Sequence, residues 1–430
     1  MEACTVEHVF DPESVGEAEL IDEIARLERV KSAAAAGQAR LTAVLADRRR
    51  VAEAAARVPR AKQCRGLATE VALARRDSPN RGGRHLGFAT ALVFEMPHTL
   101  AALECGALSE WRATLIVKES ACLTVEDRRT LDAEMSADLT KLDGRGDARI
   151  TADAKAIAYR LDPQAVVDRA AQAEADRTVT IRPAPDTMAY VTVLLPMAKG
   201  VGVYAALKRA ADTTFDDRSR GQVMADTVFE RVTGKPADVA DPVAVELVIT
   251  DETLLGGDDV PATVSGYGPI PASVARGLVS KAVADKRSRC TLRRLYRHPK
   301  SGQLVAMESR SRFFPKGLAK FIDLRDQTCR TPYCDAQIRH RDHARSRHRG
   351  GPTSAENGLG ECERCNYAKE SPGWRVTASI GESCVHTAEF STPTGHRYRS
   401  TAPPLPGSTE VYLSEVEVRV GISLAEYKAA

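Results

Sequence analysis

Four cysteines near the C-terminal end place the strongest constraint on how this chain can fold. Cys329 and Cys334 form a C-x4-C pair, and Cys362 and Cys365 form a C-x2-C pair further along. Two such pairs are the usual ligand set of a closed structural zinc site. A short segment with few large apolar side chains cannot bury enough surface to fold unaided. Zinc can supply on the order of 10 kcal/mol of folding free energy to such a segment, so the sequence predicts one structural zinc ion here.

A second set of polar side chains is interleaved with the cysteines. Asp342 and His343 follow the first pair, Asn357 follows a Gly-Gly turn, and Asn366 comes directly after the last cysteine. Carboxylate and amide oxygens hold hard divalent cations, and histidine moves protons. Once both cysteine pairs are fixed, we expect a strand carrying Asp342 and His343, a loop, a returning strand, and a helix that begins near Asn366.

The spacing of these residues resembles the HNH (ββα-metal) endonuclease pattern: Asp-His, Asn fourteen residues on, and Asn nine further in place of the last His. The flanking sequences F-I-D-L-R-D-Q-T-C-R-T-P-Y-C, G-G-P-T-S-A-E-N and C-N-Y-A-K-E-S-P-G-W are similar to actinobacterial repeat-family proteins. Those proteins join a long, mostly helical domain of unknown function to a C-terminal HNH module. The Ala- and Arg-rich first half of the chain resembles that helical domain.

The resemblance implies a role for each residue of the second set. His343 would be the general base that takes a proton from the attacking water. Asp342 and Asn366 would ligate one Mg²⁺ or Mn²⁺, which clamps the scissile phosphate and stabilises charge on the leaving oxygen. Asn357 would fix the loop and orient the imidazole. The chain departs from the family in its C-x4-C spacing and in Glu361, where many relatives carry an apolar residue.

Two functions compete for this segment. The first is a metal-dependent DNA endonuclease that hydrolyses phosphodiester bonds. The alternative is a catalytically inactive, zinc-stabilised DNA-binding module in which the same polar side chains are merely solvated. A binding module needs no base, no pair of oxygen ligands and no orienting amide at these intervals, so the pattern favours the nuclease.

Basic residues crowd the approach to this segment. Between 286 and 320 they face a single acid, Glu308, and the stretch predicts a cationic surface that neutralises phosphates. A solvated face in an Arg-rich chain is the alternative. Because the net charge is only +3, DNA binding must come from such local clustering. Within the segment, the residues predicted to contact DNA are Arg339, Arg341, Arg345, Arg347, His348 and Lys369.

The rest of the chain predicts an α+β fold. We expect a mainly helical domain over 1–160, an α+β middle region over 161–285, a basic lead-in with the zinc-stabilised ββα-metal module over 286–402, and a tail over 403–430. Residues 14–58 carry apolar side chains mostly at heptad spacing, which fits either a core helix or a coiled coil that forms a homodimer. Helices on both sides of Pro97 could pack together or read DNA.

Composition restricts the cellular compartments in which the protein is expected. The chain is 43% hydrophobic and 28% charged, and no stretch approaches the ~18 consecutive apolar residues of a membrane span. The acidic start lacks the apolar core of a secretory signal. Ten cysteines, of which one group alone is clustered, fit a reducing compartment. We therefore expect a cytoplasmic protein that does not bind membranes.

Overall fold

The computed structural model describes residues 16–237, 246–284, 308–309, 314–381 and 385–406. The chain divides into two compact units, Met1–Ala175 and Asp176–Ala430. The first is helical, and the second combines helices with small antiparallel sheets, which confirms the predicted α+β class with a helical N-terminal part. Most of the basic stretch predicted over 286–320 lies outside the described residues, and so does the tail beyond residue 406.

The N-terminal unit consists of helices packed around an apolar core. Its described α-helices are α1 (Glu17–Ala55), α2 (Leu67–Ala74), α3 (Pro79–Glu95), α4 (Pro97–Glu104), α5 (Glu110–Glu119), α6 (Val125–Ser136), α7 (Asp147–Leu161) and α8 (Pro163–Ala175). The Thr124 side chain caps α6 by accepting a hydrogen bond from the Asp127 amide. Pro97 separates α3 from α4, as predicted, because the residue before a proline is disfavoured in helical conformation.

Helices α3 and α4 contribute large side chains, including Leu92, Leu100 and Leu103, to the core of this unit. Their axes differ by 108° at the break. Within the described residues no single helix has the length and apolar character needed to cross a membrane, and α3 and α4 meet that test only as this bent pair.

The long helix α1 packs through small side chains. Ala36, Ala39 and Ala43 are buried in the core, while Ile24 and Leu41 are 63% and 73% exposed. The interpretation of α1 as a core helix is therefore correct, but the buried stripe is the alanine face rather than the heptad positions. Dimerisation through the exposed apolar side chains stays a prediction.

The first part of the C-terminal unit is α+β. Its elements are β1 (Thr178–Pro183), β2 (Ala189–Leu194), α9 (Met197–Thr213), α10 (Arg220–Thr233), β3 (Leu247–Val248), β4 (Ala262–Val264), β5 (Gly268–Ile270) and α11 (Ala272–Ala284). Strands β1 and β2 pair as the predicted hairpin, with Thr178 opposite Leu194. The predicted helix behind Pro271 is α11. The predicted strand over 243–249 lies partly outside the described residues.

The cysteine segment follows as a strand–loop–strand–helix arrangement. Its elements are β6 (Glu308–Ser309), α12 (Lys316–Asp326), β7 (His340–His343), β8 (Thr353–Ser354), β9 (Gly358–Glu361), α13 (Glu363–Lys369), β10 (Arg375–Ile380), β11 (His386–Ser391) and β12 (Arg397–Thr401). Strands β7 and β9 are antiparallel, with Asp342 opposite Leu359. Strands β10 to β12 form a three-stranded sheet, and Val376 and Phe390 from this sheet pack in one cluster with Leu359.

Candidate metal centre and adjoining polar cluster

The four predicted cysteines come together at the junction of β9 and α13. Their sulfur atoms all lie within 4.8 Å of one another, with Cys334 Sγ 3.9 Å from Cys362 Sγ and 3.7 Å from Cys365 Sγ. These distances exclude disulfides. Zn–S bonds of about 2.3 Å place tetrahedral sulfur ligands about 3.8 Å apart, so the group could hold a metal ion such as zinc.

The cysteine group is enclosed by the protein. Cys329, Cys334 and Cys365 are buried and Cys362 is half-buried. Hydrogen bonds from the other thiols lower the pKa of Cys362, and contacts with the neighbouring thiols raise the pKa of Cys329 and Cys365. Four thiolates in one buried space repel each other unless a cation compensates them, which is the role of the metal in such sites.

Asp342 and His343 end strand β7, beside the cysteine group. The His343 ring is buried, with Nδ1 3.4 Å from Asp342 Oδ1 and Nε2 2.9 Å from Thr353 Oγ1. The Phe314 ring packs against it at a centroid distance of 4.7 Å. The Asp342 side chain is about one-third exposed, at 34%. The imidazole is therefore held on one side by Thr353 and faces the accessible carboxylate on the other.

Asn357 lies just before β9 and closes the loop between the strands. Its Nδ2 donates to the carbonyls of Arg345 and Pro352, at 3.0 and 2.8 Å, and its Oδ1 accepts from the Arg345 amide at 2.9 Å. The predicted role of fixing the loop agrees with these bonds. The side chain within hydrogen-bond distance of His343 Nε2 is Thr353, at 2.9 Å, which sequence reasoning missed.

Asn366 stands in the first turn of α13 and reaches the carboxylate of Asp342. With its amide nitrogen turned toward them, it donates to Asp342 Oδ2 at 2.7 Å and to Glu361 Oε2 at 3.2 Å. With its oxygen turned toward them, three oxygen-bearing groups face one another. Hard divalent cations prefer such a set. The two residues predicted to share a cation are thus in direct contact.

Lys369 is buried beside Asp342 and not on the surface where it was predicted to contact DNA. It is 5% exposed, and its Nζ donates to Asp342 Oδ2 and Glu370 Oε1, both at 2.8 Å. Burial lowers the pKa of the ammonium, but the Glu361 and Asp342 carboxylates raise it above its ordinary value overall. A buried ammonium engaged in this way cannot meet a phosphate, so the prediction that Lys369 contacts DNA is corrected.

The Asp342 carboxylate is ionised in this setting. Burial opposes its charge, but hydrogen bonds from His343 and the Lys369 ammonium hold the pKa of Asp342 well below its usual range. Glu361, the last residue of β9, is completely buried, and burial raises its pKa well above the ordinary value despite the nearby Lys369. The cluster therefore combines one ionised carboxylate with one enclosed carboxyl group.

The other residues predicted to contact DNA lie directly before β7, on β7 and in the loop that follows it. Arg339, Arg345, Arg347 and His348 are exposed. Arg345 Nε also donates to the Arg349 carbonyl, at 3.0 Å. Arg341 is engaged by the Asp323 carboxylate through two hydrogen bonds of 2.6 Å, so its guanidinium is partly neutralised.

A buried ionic network supports the site from behind. The Asp326 carboxylate accepts from Arg325 at 2.7 and 2.9 Å, from Arg330 at 2.9 Å, and from the Gly360 amide at 2.7 Å. Burial alone would raise the pKa of Asp326, but the two guanidinium groups hold it below the ordinary value. Because Gly360 belongs to β9, this network ties α12 to the strand that carries Glu361.

The fold and the site define a chain with a helical N-terminal unit and a C-terminal α+β unit whose four cysteines could hold a metal ion such as zinc. The family described as "Domain of unknown function (DUF222)" matches residues 21–326, and the chain belongs to that family. The match covers the helical unit, as the resemblance predicted, and ends before Cys329. No curated protein and no solved structure matches the chain.

Proposed function

We propose that this protein is a metal-dependent DNA endonuclease whose active site is the polar cluster beside the four cysteines. The observation that supports it most is that one carboxylate serves two groups. Asp342 Oδ1 faces His343 Nδ1 at 3.4 Å, and Asp342 Oδ2 meets the Asn366 amide at 2.7 Å. The proposed general base, His343, and the two proposed cation ligands, Asp342 and Asn366, therefore lie next to one another, an arrangement suited to metal-dependent phosphodiester hydrolysis.

His343 is the general base of the proposed reaction. In the reactive tautomer Nε2–H donates to the Thr353 hydroxyl and Nδ1 carries no proton. Nδ1 then no longer donates to Asp342 Oδ1 and can accept a proton from water. The water oxygen bonds to phosphorus while its proton passes to Nδ1, and the bond from phosphorus to the leaving oxygen breaks. A positioned general base contributes about 10²- to 10⁴-fold to the rate.

Asp342 and Asn366 are the residues that would hold Mg²⁺ or Mn²⁺. Their fit is supported by the contact between the two side chains and by Glu361 Oε2, which lies 3.2 Å from the Asn366 amide group. When bound, the cation supplies positive charge for the scissile phosphate and the leaving oxygen. Asn357 holds the loop after β7 and thereby the position of His343.

DNA is the proposed substrate because exposed basic side chains lie close in sequence to Asp342 and His343. Arg339, directly before β7, and Arg345, Arg347 and His348, in the loop after it, are exposed. Guanidinium groups contact phosphate oxygens with favourable geometry, and contacts of this kind make binding strongly dependent on salt. In this proposal the four-cysteine group binds zinc and plays a structural part.

The proposal is tested by plasmid cleavage with Mg²⁺ or Mn²⁺. We expect wild-type protein to nick plasmid only with the cation, and His343→Ala to lose about 10²-fold or more while keeping its zinc and its DNA affinity. His340→Ala is the matched control, since His340 lies on the same strand and has no proposed part in the chemistry. Cys362→Ser should lose zinc and the fold of the cysteine segment.

The alternative, a zinc-stabilised DNA-binding module, gives a different pattern. Wild type, His343→Ala and His340→Ala would then all bind DNA with equal affinity, and none would cleave it with either cation. That result would overturn the nuclease proposal while leaving the structural zinc site in place.

A further inference from the structure

Glu361 is a buried acidic residue, although strand β9 does not need an acidic side chain at this position. It is the last residue of β9, it is completely buried, and its Oε1 has no hydrogen-bond partner among the described residues. A buried polar atom without a partner is costly, and native structures retain such atoms for a reason.

The second oxygen of this carboxyl group faces the proposed cation ligands. Glu361 Oε2 lies 3.2 Å from the Asn366 amide group and 3.8 Å from Lys369 Nζ. The same two groups contact Asp342 Oδ2, at 2.7 and 2.8 Å. Two carboxyl groups from β7 and β9 therefore converge on one amide and one ammonium from α13.

The ammonium of Lys369 provides positive charge where a cation would bind. It contacts Asp342 and Glu370 directly and lies near Glu361. A single ammonium faces three carboxyl groups and carries only one positive charge. A divalent cation carries twice that charge and binds several oxygen ligands at once, so it would compensate the carboxyl groups more fully.

We propose that Glu361 is a third protein ligand of the divalent cation, completing an oxygen site with Asp342 and Asn366, and that Lys369 occupies this site when the cation is absent. The inference rests on the proposed function and adds to it a ligand and a competing internal cation. Binding of Mg²⁺ or Mn²⁺ to Glu361 Oε2, Asp342 and Asn366 then displaces the Lys369 ammonium from Asp342.

The experiment measures Mn²⁺ binding by electron paramagnetic resonance on the full-length, zinc-loaded protein without DNA. Glu361→Gln keeps the size of the side chain and removes its charge. We expect it to weaken Mn²⁺ binding by about tenfold or more, the scale seen when groups that tune a metal site are lost. Glu370→Gln is the matched control, because Glu370 also contacts Lys369 but is half exposed; it should change the Kd within about threefold.

A second variant tests the competition. Lys369→Met removes the ammonium, so the Kd for Mn²⁺ should fall below that of wild type. Zinc content measured on each variant shows whether the four-cysteine group is intact, and if Glu361→Gln loses zinc, Lys369→Met decides the question.

The inference fails if wild type binds Mn²⁺ and cleaves DNA while Glu361→Gln binds Mn²⁺ equally well. It also fails if Lys369→Met binds Mn²⁺ no more tightly than wild type does. In both cases the nuclease proposal stands. If wild type neither binds Mn²⁺ nor cleaves DNA, the proposed function fails together with the inference.

Discussion

Replacing Asp326 by asparagine should destabilise the C-terminal unit more than any change at the protein surface. The carboxylate is completely buried and receives four hydrogen bonds, two from Arg325, one from Arg330 and one from the Gly360 amide. An asparagine side chain has the same shape but only one acceptor oxygen and no charge. The substitution therefore leaves two buried guanidinium groups without a counter-ion.

The expected cost of Asp326→Asn is about 3–5 kcal/mol of unfolding free energy, the range found when one partner of a buried ion pair is removed. The control is Asp323→Asn, one helical turn earlier on α12. Asp323 pairs with Arg341 at the surface, where the two side chains are 22% and 35% exposed. Surface pairs are worth about 0–1 kcal/mol, so the control should change stability little.

The assay is urea unfolding followed by tryptophan fluorescence. The chain has two tryptophans: Trp374 is buried in the C-terminal unit, and Trp111 is exposed in the other unit. In a Trp111→Phe background the signal reports the C-terminal unit alone. The reasoning would be refuted if Asp326→Asn and Asp323→Asn lowered the free energy of unfolding equally. It would also be refuted if Asp326→Asn lowered it by less than about 1 kcal/mol, because the Asp326 carboxylate would then not be needed to compensate Arg325 and Arg330.

Three further predictions concern the imidazoles and the cysteine group. Burial lowers the pKa of His386 to about 4, whereas the histidine of the unfolded chain binds its proton near pH 6.5, so the free energy of unfolding should be highest above pH 6.5 and fall by about 3 kcal/mol toward pH 4. Urea unfolding at a series of pH values should show a weaker pH dependence for His386→Gln, and a pH dependence equal to that of wild type would contradict this. Thr353→Val should slow cleavage about tenfold or more at unchanged DNA affinity, while Thr353→Ser retains the rate; equal rates would remove Thr353 from the positioning of His343. A strong zinc chelator should expose the C-terminal unit to limited proteolysis and spare most of the helical circular dichroism, and resistance to cleavage after zinc removal would show that the metal is dispensable for folding.

Local spacing was enough to predict which chemical groups meet at the site. Asn366 follows Cys365 directly, so fixing that sulfur also fixes the start of α13 and the position of the amide. Asp342 and His343 are adjacent, and the pairing of β7 with β9 carries them to the same end of the module. Metal-ligand chemistry restricts the geometry strongly, and the observed sulfur distances follow from it.

Two inward-facing residues were missed although the sequence carried a signal for each. Lys369 lies four residues after Cys365 on α13, and residues so spaced share one face of a helix. Glu361 lies two residues after Leu359 on β9, and alternate residues share one face of a strand. Since Cys365 and Leu359 are buried, both charged side chains had to point inward.

Other contacts could not be predicted from local pattern. Arg330 donates to the Ser400 carbonyl at 2.8 Å and lies 3.1 Å from His386 Nδ1. These partners are distant in the sequence and belong to strands that nothing near Arg330 identifies. In α1, the exposed Ile24 and Leu41 show that apolar periodicity alone did not identify the buried face, because small side chains let the neighbouring helices approach closely.

Glu361 is the point in the sequence where the four-cysteine group adjoins the proposed site for a second cation. It immediately precedes Cys362, and Asn366 immediately follows Cys365, so the second cysteine pair lies between two of the proposed ligands of the second cation. Fixing the sulfurs therefore fixes the separation of Glu361 from Asn366 across the β9–α13 junction. A site for Mg²⁺ demands near-ideal geometry, and a short segment without a metal could not maintain it. In the proposed nuclease, a metal held by the four cysteines would thus have a second physical role beyond folding, because it would set the geometry in which the carboxyl groups, the amide and His343 face one phosphate.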